Sequence, residues 1–286
     1  MTSPPSPSKS IGLMLGSVLL FSVNALLVRG LNLHAPQVDG WIASLYRGIV
    51  GLVIVIAFFG FGRGLELKHL VTNPLLFFRG LLGGFGILAF YISLVHLGAA
   101  KAVIINLSYP IFGSLFATLW LKEHLPARSW IWMVAGFCGL VIFLGSDLHN
   151  GITRYDWLAL AGAIAAGGII TLIRQLRNQE HTATIYASQC AASVAFAILP
   201  TTGTALHLPP DTTLLLVLAA VVVAIAQLAM THAYRTLSVA RGSSIQMLLP
   251  LVTAAGGWLL FDESFNAIGI SGAALTMLAT WRVVAR

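Results

Sequence analysis

Ten runs of apolar residues, each long enough to cross a lipid bilayer, most strongly limit how this chain folds. A membrane-spanning helix needs about 20 apolar residues, and glycine, proline and charged residues separate the runs. The chain of 286 residues is only 9% charged, whereas about a quarter of a soluble domain is charged. The sequence predicts an all-α membrane protein with ten transmembrane helices, approximately at residues 10–31, 40–60, 75–96, 101–121, 128–145, 155–174, 183–201, 213–234, 241–260 and 266–285.

Two stretches of the chain, 140 residues apart, resemble each other. Residues 105–123 read INLSYPIFGSLFATLWLKE, and residues 245–263 read IQMLLPLVTAAGGWLLFDE. An isoleucine, an amide residue, a proline and a closing glutamate recur at the same places, and a weaker match at an offset of 145 relates the first predicted helix to the sixth. We interpret this pattern as the duplication of a five-helix unit. It predicts a disordered cytoplasmic tail at residues 1–9, a first five-helix repeat at residues 10–146 and a second, inverted repeat at residues 154–286.

The number of helices in the unit determines how the two copies are oriented. Five crossings are an odd number, so the second copy enters the membrane from the opposite face, and the two repeats are inverted. Lysine and arginine are retained on the cytoplasmic side of a membrane. A cytoplasmic N-terminus places most of the 16 Lys and Arg residues on that side, Arg79 among them. We therefore expect both termini to be cytoplasmic.

Pro110 and Pro250 lie near the middle of the fourth and ninth predicted helices and are expected to kink them. A proline ring leaves the carbonyl four residues earlier without its hydrogen bond, and here those carbonyls belong to Asn106 and Gln246. Polar groups at membrane depth are tolerated where they line a wet cavity or meet another helix. Two interpretations stay open: Asn106 and Gln246 contact a substrate, or they hydrogen bond between helices.

Arg47 is the one charged residue that the sequence places well inside a helix. Such a residue is a functional candidate whose natural ligand is a substrate carboxylate. Alternatively, its long side chain reaches the membrane surface and pairs with Asp39. The other candidate substrate-binding residues are polar groups in the predicted helices, which in isolation pack more often than they bind: Asn24, Tyr91, Tyr109 and Gln227.

The longer stretches LGAAKAVIINLSYPIFGSLFATLWLKE and LSVARGSSIQMLLPLVTAAGGWLLFDE resemble helices 4 and 9 of the EamA-type carriers of the drug/metabolite transporter superfamily. The resemblance covers both halves of the chain. It implies ten helices built as five plus five, a bacterial inner membrane location, and export of a small organic metabolite by alternating access. Resemblance to the YddG-type amino-acid exporters of this superfamily implies an amino acid as the substrate of this chain. The partners implied are this small molecule and membrane lipid, with the protein as a monomer.

Several classes of function are disfavoured by what the sequence lacks. No metalloprotease, serine-nucleophile or phosphate-loop motif occurs, so we expect no enzyme activity, cofactor or metal. Basic residues stand singly between apolar runs, which argues against nucleic-acid binding. Every Asp and Glu lies at a helix end or in a loop, which disfavours proton coupling through an acid. An exporter of lipophilic cations or drugs remains the alternative carrier, and an intramembrane lipid-modifying enzyme is a more distant one.

Overall fold

The computed structural model describes residues 7–35, 38–60, 62–97, 105–144, 153–201, 208–261 and 267–284, and this part of the chain is helical without a β-strand. Its helices are α1 (Pro7–His34), α2 (Gly40–Phe59), α3 (His69–Thr72), α4 (Pro74–Leu97), α5 (Tyr109–Trp120), α6 (Ala127–Leu144), α7 (Arg154–Leu176), α8 (Thr182–Thr201), α9 (Pro210–Ala233), α10 (Val239–Gln246), α11 (Leu249–Phe261) and α12 (Ala267–Val284).

The helices have the length and composition that a bilayer requires. Within the described ranges, seven helical stretches are long and apolar enough to cross a membrane, with α10 and α11 counted together as one. Shorter apolar stretches lie in α4, at Pro74–Phe90, and in α6, at Ala127–Phe143. The predicted all-α membrane architecture is therefore confirmed.

The fourth and ninth predicted helices are each interrupted just before their proline. A turn at Leu107 and Ser108 precedes α5, and a turn at Met247 and Leu248 separates α10 from α11. In both turns an N–H bonds three residues back, Ser108 to the Ile105 carbonyl at 3.1 Å and Leu248 to the Ile245 carbonyl at 3.0 Å. A proline has no N–H to donate to the carbonyl four residues earlier, which here belongs to Asn106 and Gln246, directly before each turn. The same local cause thus interrupts a helix at two places 140 residues apart.

Most of the tight helix packing joins the first half of the chain to the second. Helix α1 packs along α9, α2 along α8, α4 along α7 and α8, and α6 along α12. The two repeats make corresponding contacts. Helix α1 of the first repeat corresponds to α7 of the second, and α4 corresponds to α9, so the packing of α1 on α9 has its counterpart in the packing of α7 on α4. The largest apolar cluster lies where the halves meet and includes Met14, Leu76, Ile173, Ile185 and Met230.

Glycines allow some of these helices to approach until their backbones touch. Helix α6 meets α12 at Gly139 and Gly272, where a methyl group added to Gly272 would lie 2.6 Å from the Gly139 carbonyl oxygen. The neighbouring Thr276 hydroxyl donates to the Gly136 carbonyl at 3.2 Å and fastens the contact. Small residues at such crossings are how membrane helices pack closely.

Candidate functional site

Polar side chains converge where α2, α4, α8 and α9 meet. Arg47 of α2 is half-buried, and its Nη2 donates to Oε1 of the buried Gln227 on α9 at 3.5 Å. Asp39 lies elsewhere, at the start of α2, where its carboxylate accepts from the Ile42 N–H at 2.9 Å. The structure therefore joins two predicted site residues, Arg47 and Gln227, and gives Asp39 a helix-capping role.

The sequence analysis counted Arg79 among the positive residues on the cytoplasmic side, and it did not predict that this side chain is buried inside the bundle. Arg79 lies in α4 and is 0% exposed. The neighbouring glycines let α8 cover it: a methyl group on Gly80 would lie 2.6 Å from the Ser188 carbonyl oxygen, and one on Gly83 would lie 3.0 Å from Gln189 Cγ and 3.3 Å from Arg79 Nη1. Arg47 is thus not the one charged side chain inside the helices.

Among the described residues, the guanidinium of Arg79 has no hydrogen-bond partner at any of its three nitrogens. The titratable groups in its electrostatic range are Cys190, Tyr186 and Arg47, so no carboxylate of the described residues compensates its charge. Buried polar groups are normally hydrogen-bonded, so the Arg79 guanidinium has unused capacity to bind a polar molecule.

A tyrosine and a cysteine of α8 lie near both arginines. Tyr186 and Cys190 are each within electrostatic range of both Arg47 and Arg79. They reach this position because Gly51 of α2 has no side chain: a methyl group there would lie 2.5 Å from the Cys190 sulfur and 2.7 Å from the Tyr186 hydroxyl. We name Arg47, Arg79, Tyr186, Cys190 and Gln227 the central polar cluster. Sequence reasoning found two of these five residues.

Two predicted amides hold helix α1 in place. The Gln246 side chain is buried and donates to the Ser17 hydroxyl at 3.0 Å. Asn24 donates from its side chain to the Ala219 carbonyl of α9 at 2.8 Å. The Ser22 hydroxyl reaches the Leu249 carbonyl beside Pro250 at 3.4 Å. These contacts connect α1 to α9 and to the interrupted ninth segment.

The remaining predicted residues have different surroundings. Asn106 is half-buried at the interruption before Pro110, and no described side chain hydrogen bonds to it. Tyr109 is partly buried against the main apolar cluster. Tyr91 belongs to α4, and its side chain lies outside the described part of the structure.

Polar contacts join the two halves at one end of the bundle. Glu123, which ends the repeated motif, accepts from Arg174 Nε at 3.1 Å and from the Val239 N–H at 3.1 Å. Arg174 Nη1 also donates to the carbonyls of Tyr234 and Arg235, at 3.1 and 2.9 Å. We call this group the Glu123 network. It borders a cavity of about 290 Å³ lined by Ser114, Ala117, Thr118, Glu123, His124, Leu125, Arg174, Ser238 and Ala240.

A second set of charged contacts lies at the same end, outside the membrane-spanning helices. Glu180 accepts from Asn73 at 2.9 Å and lies 3.0 Å from Nδ1 of His69, and this hydrogen bond, together with the charge of Glu180, raises the pKa of His69. Arg177 donates to the Glu180 carbonyl at 2.9 Å, and burial lowers the pKa of Arg177 to about 10. Burial, followed by the charge of Arg177, lowers the pKa of His181. No group of three metal-ligating side chains occurs in the described residues.

Comparisons with known proteins relate both halves of the chain to carriers. A family model described as the EamA-like transporter family matches residues 8–145 and again residues 153–285. The pseudopaline exporter CntI of Pseudomonas aeruginosa is 25% identical over 261 residues, which are 91% of this chain and 90% of that protein. Human solute carrier family 35 member G1 is 24% identical over 185 residues, which are 60% of this chain and 49% of that protein. A solved structure titled only as a crystal structure of protein has a TM-score of 0.78, with 17% identity over 98% of this chain and 97% of the other, and it shows a shared fold.

Proposed function

The chain belongs to the EamA-like transporter family, and from this premise we propose that it exports a small amphipathic organic metabolite, most readily an amino acid. Transport proceeds by alternating access between two inverted five-helix repeats that together contribute ten transmembrane helices. The protein acts as a monomeric carrier, with no enzymatic step, in a bacterial inner membrane.

The observation that carries this proposal is the packing of each half against the other. Exchange of the halves converts the α1 and α9 contact into the α7 and α4 contact, and the same interruption precedes Pro110 and Pro250. Two similar units joined this way can rock about their common interface, so that each opens the face that the other closes. The central polar cluster lies at this interface, where a carrier of this type binds its solute.

The direction of opening follows from the Glu123 network. It links the loop after α5 to α7 and to the start of α10, and it lies at the end of the bundle where basic residues such as Arg174, Arg177 and Arg235 gather. Basic residues mark the cytoplasmic side, so we expect the Glu123 network to lie at the cytoplasmic end and to join the two halves there when the carrier opens outward.

The central polar cluster disfavours the alternative of a lipophilic cation. Its two guanidiniums repel a positive solute, and no carboxylate of the described residues lies in electrostatic range of Arg79. A cation in this position would need an acidic partner. An organic solute that carries a carboxylate suits the same position through hydrogen bonds to arginine.

Transport by purified protein in liposomes tests the proposal. Vesicles are preloaded with unlabelled neutral or acidic amino acids, nucleosides or cationic dyes, and the uptake of the labelled counterpart is measured without a pH gradient. We expect counterflow of at least one amino acid. The Leu119→Ile protein, altered at a side chain that is 63% exposed, is the control and should show the same counterflow rate as the wild type. Uptake of cationic dyes with no amino-acid counterflow would overturn the proposal.

A further inference from the structure

The central polar cluster carries more positive charge than its protein surroundings balance. Arg79 is fully buried, and within the part of the chain that the structure describes none of its nitrogens has a partner and the other charged group in its electrostatic range is the cation Arg47. Arg47 itself makes one long hydrogen bond, at 3.5 Å, to a neutral amide. Burying a charge without a partner is strongly unfavourable, so these two side chains are explained best by a ligand that supplies the missing negative charge.

We propose that Arg79 and Arg47 together bind a solute with two carboxylate groups, so that the exported molecule is an acidic amino acid or a related dicarboxylate. This proposal rests on the transport function proposed above and names its substrate class. The planar fork of a guanidinium matches the two oxygens of a carboxylate. Arg79 lies deepest and takes the first carboxylate, whereas the half-buried Arg47 takes the second.

The residues near both arginines fit such a ligand. The Tyr186 hydroxyl is positioned beside Cys190 by the absence of a side chain at Gly51, and a phenolic O–H donates to a carboxylate oxygen. Gln227 offers Oε1, an acceptor for the ammonium group of an amino acid. A neutral zwitterion leaves both positive charges of the cluster unbalanced, an acidic amino acid balances one of them, and a dicarboxylate without an ammonium group balances both.

Matched pairs of solutes test the assignment with the full-length protein in detergent. The midpoint of thermal unfolding is measured with L-glutamate, L-glutamine, succinate, glycerol 3-phosphate or chloride at equal ionic strength. Glutamate and glutamine have nearly the same shape and differ by one carboxylate. We expect glutamate and succinate to raise the midpoint at concentrations at least about tenfold lower than glutamine requires, and glycerol 3-phosphate and chloride to have little effect.

Substitutions at Arg79 separate ligand binding from a structural role. Arg79→Met should abolish the protection by glutamate and succinate, and should raise the unfolding midpoint of the empty protein, because an unpaired buried charge is removed. Arg79→Lys keeps the charge and should retain weakened binding. Arg63→Met, altered at an exposed residue in the turn after α2, should behave as the wild type.

The possible results distinguish this proposal from the broader one. Glutamine as effective as glutamate, protection by chloride or glycerol 3-phosphate alone, or an Arg79→Met protein that still binds glutamate would each overturn it. An Arg79→Met protein that is less stable or does not fold would also contradict it, because Arg79 would then have a structural partner. Counterflow of a neutral amino acid in liposomes, with no preference for acidic ones, would leave the transport function intact and remove this substrate class.

Discussion

At the scale of single residues, Asn106 and Gln246 occupy equivalent places in the two halves of the sequence but differ in their contacts. The Gln246 amide donates to Ser17 and is buried. Asn106 is half-buried and has no hydrogen bond to a described side chain. The equivalence in sequence therefore does not extend to the surroundings. We propose that the two interpretations left open from the sequence divide between these residues, with Gln246 joining helices and Asn106 contacting a solute.

Replacing each amide with leucine should separate these two roles. Gln246→Leu removes the hydrogen bond to α1, worth about 0.6 kcal/mol between membrane helices, and should lower the unfolding midpoint while transport continues. Asn106→Leu should leave the midpoint unchanged and lower the rate of amino-acid counterflow by about tenfold, the effect of losing roughly 1.4 kcal/mol of binding. Equal behaviour of the two variants in both measurements would contradict the division.

The two arginines of the central polar cluster show where sequence reasoning reaches its limit. Arg47 could be found because it is flanked by apolar residues on both sides. Arg79 follows Pro74 by five residues, so its position along the chain resembles that of a cation at a helix end. Its burial is decided by α8, which approaches α4 at Gly80 and Gly83. Such a contact between segments distant in sequence has no local signal.

At the scale of elements, helix bounds were predictable and helix contacts were not. The runs of apolar residues determine where α1, α2, α7, α8 and α9 begin and end, and the prolines mark the two interruptions. Which helices pack against each other depends on the shapes of their side-chain surfaces. The glycines of α6 and α12 were visible in the sequence only as small residues, and their contact at Gly139 and Gly272 is a result of folding.

A larger side chain at the α6 and α12 crossing should loosen the whole bundle. Gly272→Leu places its side chain against the Gly139 carbonyl and the Phe143 backbone, and overpacking of this kind costs about 1 to 3 kcal/mol. We expect a lower unfolding midpoint and a reduced monodisperse fraction on size-exclusion chromatography. Gly16→Leu is the matched control, since nothing lies within 4 Å of a methyl group there. Unchanged stability of Gly272→Leu would show that the helices separate without penalty.

The Glu123 network should control how often the cytoplasmic end opens. Glu123→Gln removes the ion pair between Glu123 and Arg174, whose side chains are 23% and 24% exposed, respectively. It also weakens the hydrogen bond that the Val239 N–H donates to Glu123. A cysteine replacing Thr118, in the adjoining cavity, should then react with a thiol reagent about threefold faster, as expected from losing roughly 0.7 kcal/mol. The measurement uses protein in which Cys138 and Cys190 are alanine.

Glu66→Gln, altered at an exposed carboxylate outside the network, is the control and should not change that rate. If Glu123→Gln leaves the labelling rate at Thr118→Cys unchanged, the contact between Glu123 and Arg174 does not hold this end closed.

At the scale of the whole molecule, the distribution of charge predicts that both termini face the cytoplasm. Cysteines placed at Ser3 and at Arg286, in a protein without Cys138 and Cys190, should resist a membrane-impermeant thiol reagent in intact cells and react after the cells are permeabilised. Reaction of one terminus alone in intact cells would mean an odd number of crossings. Reaction of both would reverse the orientation, and the Glu123 network would then close the outer face.

The proposed binding of solute at Arg79 has a consequence for how fast the carrier returns after it has released its cargo. On this proposal, an empty protein that reorients passes through a closed state in which the Arg79 charge is isolated from water and from any anion, whereas a loaded protein passes with that charge neutralised. Return with a solute should therefore be faster than return without one. We expect external solute to accelerate the release of labelled solute from preloaded vesicles, a trans-stimulation that Arg79→Met should abolish, as in a carrier that works mainly as an exchanger and leaks little when empty.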